Sequence, residues 1–288
     1  MTAPLLIATI LRPQGPTGVQ THVETFARYL ASKRIDASLL TPYDISAALV
    51  YPAFAVRRVL APISRSAEVS WYRDVHGMFL RWALSRRLDN GDPCVIYAQC
   101  PVSAEAALLA RRNPQQKVVM VVHFNVSQAD EWAGQGMISY GSELWRQIRA
   151  KETALMPGLD GIVFVSDFMR GVLLKRMPGL TRVPHVVIPN FVDDPEPVVP
   201  CTSFRSDLVS IGTLESRKNQ VYLLHVRAAA RRAGSLLTLT LIGDGPDRAM
   251  LAAMARELGV ASQVTFAGQV LQAGKQLVHY RAYVHAAR

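Results

Sequence analysis

A repeated pattern between Leu208 and Arg248 constrains the fold of this chain more than any other feature. Residues 208–211 are apolar and Gly212 follows them, while residues 236–242 are apolar and Gly243 follows them. Helical spacing of apolar residues comes after each of these glycine-bearing turns. Strands that alternate with helices indicate a parallel sheet with right-handed crossovers, so the pattern predicts an α/β fold.

Arg217 and Lys218 lie in the first of these turns, between a strand and a helix. Open α/β sheets bind ligands at the carboxyl ends of their strands, and a helix amino end attracts anions. A charge-assisted hydrogen bond contributes about 1.5–3 kcal/mol, so the pair suits a diphosphate. A solvated turn is the alternative for an isolated pair, and the second glycine turn favours the phosphate site.

Three ordered motifs carry a family resemblance. They are Gly-Thr-Leu-Glu-Ser-Arg-Lys-Asn (212–219), Leu-Ile-Gly-Asp-Gly-Pro (241–246) and Val-Thr-Phe-Ala-Gly-Gln-Val (264–270). Together they resemble the C-terminal domain of the retaining GT-B glycosyltransferases of group 1, which transfer a sugar from a nucleotide-sugar donor. The resemblance covers nearly the whole chain, more strongly in 185–285 than in 1–184. It implies two Rossmann-like domains with an interdomain cleft, the second domain being incomplete.

The resemblance also implies roles for residues of these motifs. Arg217 and Lys218 would stabilise the departing diphosphate, where negative charge grows in the transition state. Gly212 belongs to the same donor-binding turn. The residues expected near the nucleobase are Gly243, Asp244 and Val270.

The loop after the first predicted strand (residues 5–11) contains a second phosphate candidate. Gly18 stands where the chain enters the helix predicted from Val19 to Leu30, although the loop lacks the G-x-G-x-x-G fingerprint. The resemblance implies that the backbone N–H of Gly18 faces the donor diphosphate. His22 is a secondary candidate on the same helix, with a capping or surface histidine as the alternative.

His123 directly follows the apolar strand predicted for 117–122. A polar residue there sits at the ligand edge of the sheet, although a lone histidine is often structural. The resemblance places a histidine at this point near the donor sugar and the acceptor, so His123 is the principal N-terminal candidate. The glycine-bearing segment 125–141 is expected to form a mobile cleft loop.

Prolines mark the expected domain boundary. Residues 194–200 read as a stiff linker, which divides the chain into an acceptor-side domain (1–194) and a partial donor-binding domain (195–288). The preceding Ile-Pro-Asn-Phe-Val-Asp (188–193) resembles the family's entry into this linker and makes Asn190 a secondary site candidate. Region 43–73, interrupted by prolines and rich in arginine, is predicted as an acceptor-side or membrane-facing loop region, or an ordinary surface excursion.

The net charge of +10 suits an anionic small ligand, an anionic membrane or nucleic acid. No basic helix with interleaved aromatic residues is evident, so no nucleic-acid partner is expected. Three cysteines without metal-ligand spacing indicate free thiols in a reducing compartment. No apolar run approaches the roughly 18 residues of a spanning helix. The expected setting is the cytoplasm, with peripheral contact at the inner face of an anionic membrane.

The implied reaction transfers a hexose from a UDP-, GDP- or ADP-sugar to a glycan or lipid-linked acceptor with retention, in polysaccharide biosynthesis. By resemblance, a donor phosphate oxygen takes the acceptor proton. No metal or cofactor is expected, since no Asp-x-Asp triplet occurs. The family's donor-binding glutamates would follow Arg288, so impaired activity is expected of this chain. The alternatives are a non-catalytic or partner-dependent nucleotide-sugar-binding subunit, and another sugar-nucleotide enzyme, against which the missing G-x-G-x-x-G argues.

Overall fold

The computed structural model describes residues 3–13, 15, 18–88, 92–124, 126–191 and 203–287. The chain divides into two compact units, Met1–Asp193 and Asp194–Arg288. Each unit has an α/β architecture built on a parallel sheet. The proline-rich segment 194–200, predicted to be a linker, lies outside the described residues.

The first unit contains a six-stranded parallel sheet with the order β2-β1-β3-β4-β5-β6. Its strands are β1 (Leu5–Ala8), β2 (Ala37–Leu40), β3 (Cys94–Ala98), β4 (Gln116–Val122), β5 (Gly161–Phe164) and β6 (His185–Val187). Its helices are α1 (Gly18–Ser32), α2 (Ala47–Leu60), α3 (Arg65–Arg87), α4 (Pro101–Ala110), α5 (Gln128–Gly134), α6 (Glu143–Leu155) and α7 (Asp167–Arg176).

Helices cover both faces of this sheet. Alternate residues of β1 face opposite ways: Ile7 packs with Val23 of α1 on one face, whereas Leu6 joins the large core beneath α3 and α4 on the other. β4 is buried almost throughout, as its unbroken apolar sequence requires of a central parallel strand. The carboxyl ends of β1, β3 and β4 lie side by side at one edge of this sheet.

The second unit contains a four-stranded parallel sheet with the order β10-β7-β8-β9. Its strands are β7 (Ser206–Ile211), β8 (Leu239–Ile242), β9 (Val264–Gly268) and β10 (Tyr280–Tyr283), and its helices are α8 (Gln220–Arg232) and α9 (Arg248–Glu257). Leu224 of α8 and Leu251 of α9 pack against Leu241 on one face of this sheet.

Two predicted loop regions are helical instead. Region 43–73 holds α2 and the first part of α3, and α2 continues through Pro52 because its inner face packs on α3. Segment 125–141 contains α5, whose first turn is capped by the Ser127 hydroxyl and by the buried carboxylate of Glu152. A cap supplied from a distant helix leaves no local signal in the sequence. The first strand also ends at Ala8, three residues before the predicted end.

None of the helices in the described part of the chain combines the length and apolar character needed to cross a bilayer. Among the same residues, no cluster of three or more histidine, cysteine, aspartate or glutamate side chains is placed to hold a metal ion. Cys94 and Cys100 are free thiols, and Cys201 lies outside the described residues.

Candidate functional site

Three neighbouring strands of the first unit each end in a polar residue. Thr9 follows β1, Gln99 follows β3, and His123 follows β4. Because the strands are parallel, these residues share one edge of the sheet, the edge at which α/β folds bind ligands. All three line a cavity of about 150 Å³. The location predicted for His123 is therefore its location in the structure.

His123 and Gln99 interact directly within this cavity. The Nε2 atom of His123 lies 3.2 Å from Oε1 of Gln99. Burial lowers the pKa of His123 to about 4, with a smaller contribution from the neighbouring His22. The imidazole is therefore neutral at pH 7, and with Nε2–H donating to Gln99, Nδ1 is left as an acceptor.

His22 completes this group from α1. Its ring meets that of His123 edge to face, with centroids 4.9 Å apart, and burial lowers its pKa as well. Within the described part of the chain, neither ring nitrogen of His22 has a hydrogen-bond partner, and the amide nitrogen of Gln99 has none either. Buried polar atoms without partners cost about 1–3 kcal/mol each, so their presence here marks a candidate site rather than a packing core.

The opposite wall of the cavity comes from α5. Gln128, Glu131 and Trp132 contribute to it, and Tyr72 of α3 adds an aromatic side chain. Arg73, which is buried, donates to the Oε1 atom of Gln128 at 2.8 Å. This wall therefore offers aromatic surface and amide groups together, a combination suited to a polar ring such as a sugar.

A buried ionic network fixes α5 in place. Glu152 of α6, fully buried, accepts from the backbone N–H of Gln128 at 2.9 Å and from Arg176 of α7 at 3.0 Å. Arg176 also donates to the backbone carbonyl of Val126. The position of α5, and with it this wall of the cavity, therefore depends on Glu152 and Arg176, which do not line the cavity.

Gly18 and Asn190 differ from His22 in their surroundings. Gly18 is exposed as the first residue of α1, and a side chain there would meet no other atom within 4 Å. Asn190 is exposed, whereas the next residue, Phe191, packs its ring against His22 at 5.5 Å and against Phe26 at 6.2 Å. Phe191 therefore contacts the aromatic cluster around His22, whereas Asn190 is exposed.

The second unit builds a different kind of site from its backbone. Gly212 N–H donates to the carbonyl of Ile242, and Gly243 N–H donates to the carbonyl of Gly268. A Cβ atom on Gly243 would lie 2.0 Å from the carbonyl oxygen of Gly212, and Gly243 has φ of +138°. The backbones of the two predicted glycine turns are in direct contact. For this reason only glycine fits at position 243.

Arg217 and Lys218 lie on a short 3-10 turn beside these glycines. The turn spans Ser216–Lys218 and passes through Asn219, in the left-handed region with φ of 55°, into α8. The stem of Lys218 runs 3.7–3.9 Å from the position of a Cβ on Gly212, while Arg217 is exposed and pairs with Glu215 at 2.8 Å. Both cations stand at the strand-to-helix edge of the sheet.

The remaining donor-site candidates lie around the same edge. Asp244 is exposed and accepts from Gly245 N–H at 2.8 Å, with Arg248 at 3.4 Å. Val270 packs against Val209 and Ile242. The structure therefore collects the second-unit candidates at one edge of one sheet, and His22 and His123 at one edge of the other.

Sequence reasoning did not identify the residues of the cavity wall, nor the two side chains that pair directly with predicted site residues, Gln99 and Glu215. Gln99 follows a strand in the same way as His123, and that position was the available signal. Glu215 partly neutralises Arg217, and its place two residues before the arginine gave no indication of their pairing.

Comparison with known structures finds the same fold in several glycosyltransferases. Over 99% of the chain and 74% of theirs, Anabaena HepE in complex with UDP-glucose has a TM-score of 0.60 at 14% identity. TarM of S. aureus, solved with UDP among its ligands, has a TM-score of 0.56 at 13% identity over 74% of this chain. The pneumococcal O-GlcNAc transferase GtfA, solved with UDP and GlcNAc, has a TM-score of 0.54 at 16% identity over 73% of this chain.

The chain spans 40% of the length of TarM and of GtfA. No curated protein sequence matches it. The structural likeness identifies the fold as that of the GT-B glycosyltransferases, as the motifs predicted. Residues 16–195, more than half of the chain, match Glycosyltransferase Family 4, and the match includes the part in which the motif resemblance is weaker. The chain therefore belongs to glycosyltransferase family 4.

Proposed function

We propose that this protein transfers a hexose from a nucleotide diphosphate sugar to a glycan or a lipid-linked acceptor, with retention of configuration. The observation that carries the proposal is the turn after β7, where the stem of Lys218 lies beside Gly212 and Arg217 precedes it on the same turn. The backbone of Gly212 in turn meets that of Gly243. Two cations and a side-chain-free surface suit a diphosphate. The structural relatives solved with UDP support a UDP-sugar as the donor.

Each group of residues takes a separate role in this proposal. Arg217 and Lys218 stabilise the charge that grows on the leaving diphosphate. Lys218 reaches it as a point charge, whereas Arg217 must turn away from Glu215. Gly243, Asp244 and Val270 line the nucleobase side, and no metal is needed because the protein supplies the positive charge.

The first-unit cavity holds the sugar or the acceptor. His123, neutral and oriented by Gln99, offers an acceptor nitrogen to a sugar hydroxyl. The backbone N–H of Gly18, at the start of α1, assists with the diphosphate. A donor phosphate oxygen takes the acceptor proton. Polysaccharide assembly in the cytoplasm, at the inner face of a membrane, is the setting that the family resemblance favours.

The test is calorimetric binding of UDP, GDP and ADP to the full chain and to two double variants. Arg217→Ala/Lys218→Ala should weaken binding of the preferred nucleotide at least tenfold, since each lost charged hydrogen bond is worth about 1.5–3 kcal/mol. Arg231→Ala/Arg232→Ala removes the same charge from the exposed carboxyl end of α8 and should leave binding unchanged.

If both double variants bind the nucleotide equally well, the phosphate site does not involve Arg217 and Lys218, and the proposal is contradicted. Binding of a nucleotide without sugar transfer to any glycan or lipid-linked acceptor would favour the non-catalytic alternative. Transfer with inversion would contradict retention.

A further inference from the structure

Helix α2 is apolar on the face that packs against the protein. Val50, Ala53 and Phe54 form a small core with Val75 and Phe79 of α3. The indole nitrogen of Trp71 donates to the Ala53 carbonyl at 2.8 Å and fixes the two helices together. This inner face accounts for why α2 folds onto the first unit.

The opposite face of α2 is apolar as well, and it is exposed. Tyr51 is 56% exposed, Val59 is 64% exposed, and Ile63, just beyond the helix, is 75% exposed. Further exposed residues near them in the sequence are Ala48, Pro52, Ala55 and Pro62. A helix that is hydrophobic all round is normally buried. The outer face of α2, defined as Tyr51, Pro52, Ala55, Val59 and the following Ile63, is therefore expected to bind another molecule that removes it from water.

The charges around this face are of one sign. Residues 45–67 contain three arginines, Arg57, Arg58 and Arg65, and no acidic residue. The nearest carboxylate in α3, Glu68, is buried and pairs with Arg57 at 2.7 Å and Arg65 at 3.0 Å. Glu68 therefore neutralises part of this charge from inside the protein, while Arg58, near the end of α2, and Arg65, the first residue of α3, are exposed.

Two further carboxylates belong to the neighbouring elements. Asp44 precedes α2 and is engaged by the backbone and hydroxyl of Thr41. Asp74 is exposed on α3 and lies 3.9 Å from Lys151. The carboxyl end of α2 is left with an excess of positive charge beside an apolar surface.

We infer that the outer face of α2 docks on the surface of an anionic lipid bilayer. The apolar side chains enter the boundary between headgroups and acyl chains, and Arg58 and Arg65 bind lipid phosphates while Tyr51 lies at headgroup level. A second copy of this chain is the other possible cover. In a two-fold dimer formed through this face, Arg58 and Arg65 of one copy would lie near the same arginines of the other copy and repel them. Charge complementarity therefore favours the anionic bilayer.

This inference deepens the proposed function, because a docked first unit would meet a lipid-linked acceptor at the membrane. It rests on residues of α2 and of the start of α3, far from the donor turn in the sequence, and it can fail without the donor site failing. Nucleotide binding to the same variants separates the two outcomes.

The experiment is co-sedimentation of the full chain with vesicles of phosphatidylcholine, alone or mixed three to one with phosphatidylglycerol. The chain should bind the anionic vesicles and should bind more weakly as salt is raised. Val59→Glu/Ile63→Glu should lower the bound fraction at least tenfold. Tyr222→Glu/Val226→Glu adds the same charges to an exposed apolar pair of α8 and should leave binding unchanged.

Thermal unfolding and UDP binding of both double variants should match those of the unchanged chain, which shows that they remain folded. Full vesicle binding by Val59→Glu/Ile63→Glu would overturn the inference. Equal binding to neutral and anionic vesicles would overturn its electrostatic part. A dimer of the unchanged chain in solution that this variant dissociates would identify a second copy as the true cover.

Discussion

The two sheet edges proposed to bind ligands differ in their polar groups: one presents uncharged, largely enclosed side chains, and the other presents charged side chains beside glycine backbone. In the first unit, His22, Gln99 and His123 are uncharged and largely enclosed, and several of their polar atoms have no hydrogen-bond partner among the residues that the structure describes. In the second unit, Arg217 and Lys218 are charged and stand beside a bare glycine backbone. The first arrangement suits oriented hydrogen bonds to a neutral sugar, whereas the second suits neutralisation of a diphosphate.

The largest effect is expected where the second edge depends on its backbone. Gly243→Ala would place a Cβ atom 2.0 Å from the Gly212 carbonyl oxygen. We expect a loss of stability of more than about 3 kcal/mol and a loss of nucleotide binding, since backbone cannot move aside as a side chain can. Thermal unfolding and calorimetry measure both.

Gly234→Ala is the matched control for this prediction. Gly234 also has a positive φ, +84°, but a Cβ there meets nothing within 4 Å. It should cost only about 1 kcal/mol of conformational strain. Equal losses in the two variants would show that φ alone, and not the contact between the glycine turns, decides the effect.

Acid should destabilise the first unit through two buried histidines, His123 at the ligand edge and His76 on α3. Burial lowers the pKa of His123 and of His76 to about 4 in the folded state, below the ordinary 6.5. Between pH 6.5 and pH 4 the unfolded chain therefore binds more protons, and the free energy of unfolding falls by about 2–3 kcal/mol per histidine as the pH drops. Stability is unaffected by these groups above about pH 7.5, where the unfolded chain has also lost these protons.

Denaturant unfolding at pH 7 and pH 4.5 measures this loss. His76→Phe keeps the stacking on Phe54, whose ring centroid is 3.8 Å away, and should reduce the pH dependence. Carboxylates with lowered pKa, such as Asp160, titrate below this window. A stability that is the same at both pH values would contradict the neutral, enclosed description of the first edge.

The pairing of Gln99 with His123 predicts a smaller, local effect. Gln99→Glu places a carboxylate where the amide oxygen lies, 3.2 Å from Nε2. An opposite charge at this distance favours the imidazolium, so the pKa of His123 should rise by about 1–3 units. Titration followed by NMR of the ring measures it, with Gln115→Glu, on an exposed turn, as the control. An unchanged pKa would mean that Gln99 does not orient the ring.

The smallest effect concerns Glu215. Glu215→Gln releases Arg217 from an ion pair in which the arginine is exposed, so stability should change by less than about 0.5 kcal/mol. UDP should bind a few-fold more tightly, because the turn gains one net positive charge. Calorimetry beside the Arg217→Ala/Lys218→Ala variant measures the change, and weaker binding would show that Glu215 orients Arg217 for the ligand.

Much of the fold could be predicted because its strands are short, apolar and bounded by turns. β4 begins one residue before the strand predicted for 117–122, β7 contains the predicted run 208–211, and β8 lies within the run 236–242. Helix α2 could not be predicted, since an element that is apolar on both faces lacks helical periodicity and contains Pro52. The position of His123 followed from its strand, but its contact with His22 required the crossing of α1 over the sheet.

The strand order has a consequence for how the chain is made. β1 pairs with β3, Leu5 opposite Val95, so the first strand emerges about ninety residues before its second neighbour. At synthesis rates of roughly 5–20 residues per second, this leaves an interval of about 5–20 s. Helix α2 emerges within that interval, ahead of most of α3, which covers its inner face. During synthesis both faces of α2 are therefore open to chaperones or lipid before the sheet beneath it is complete.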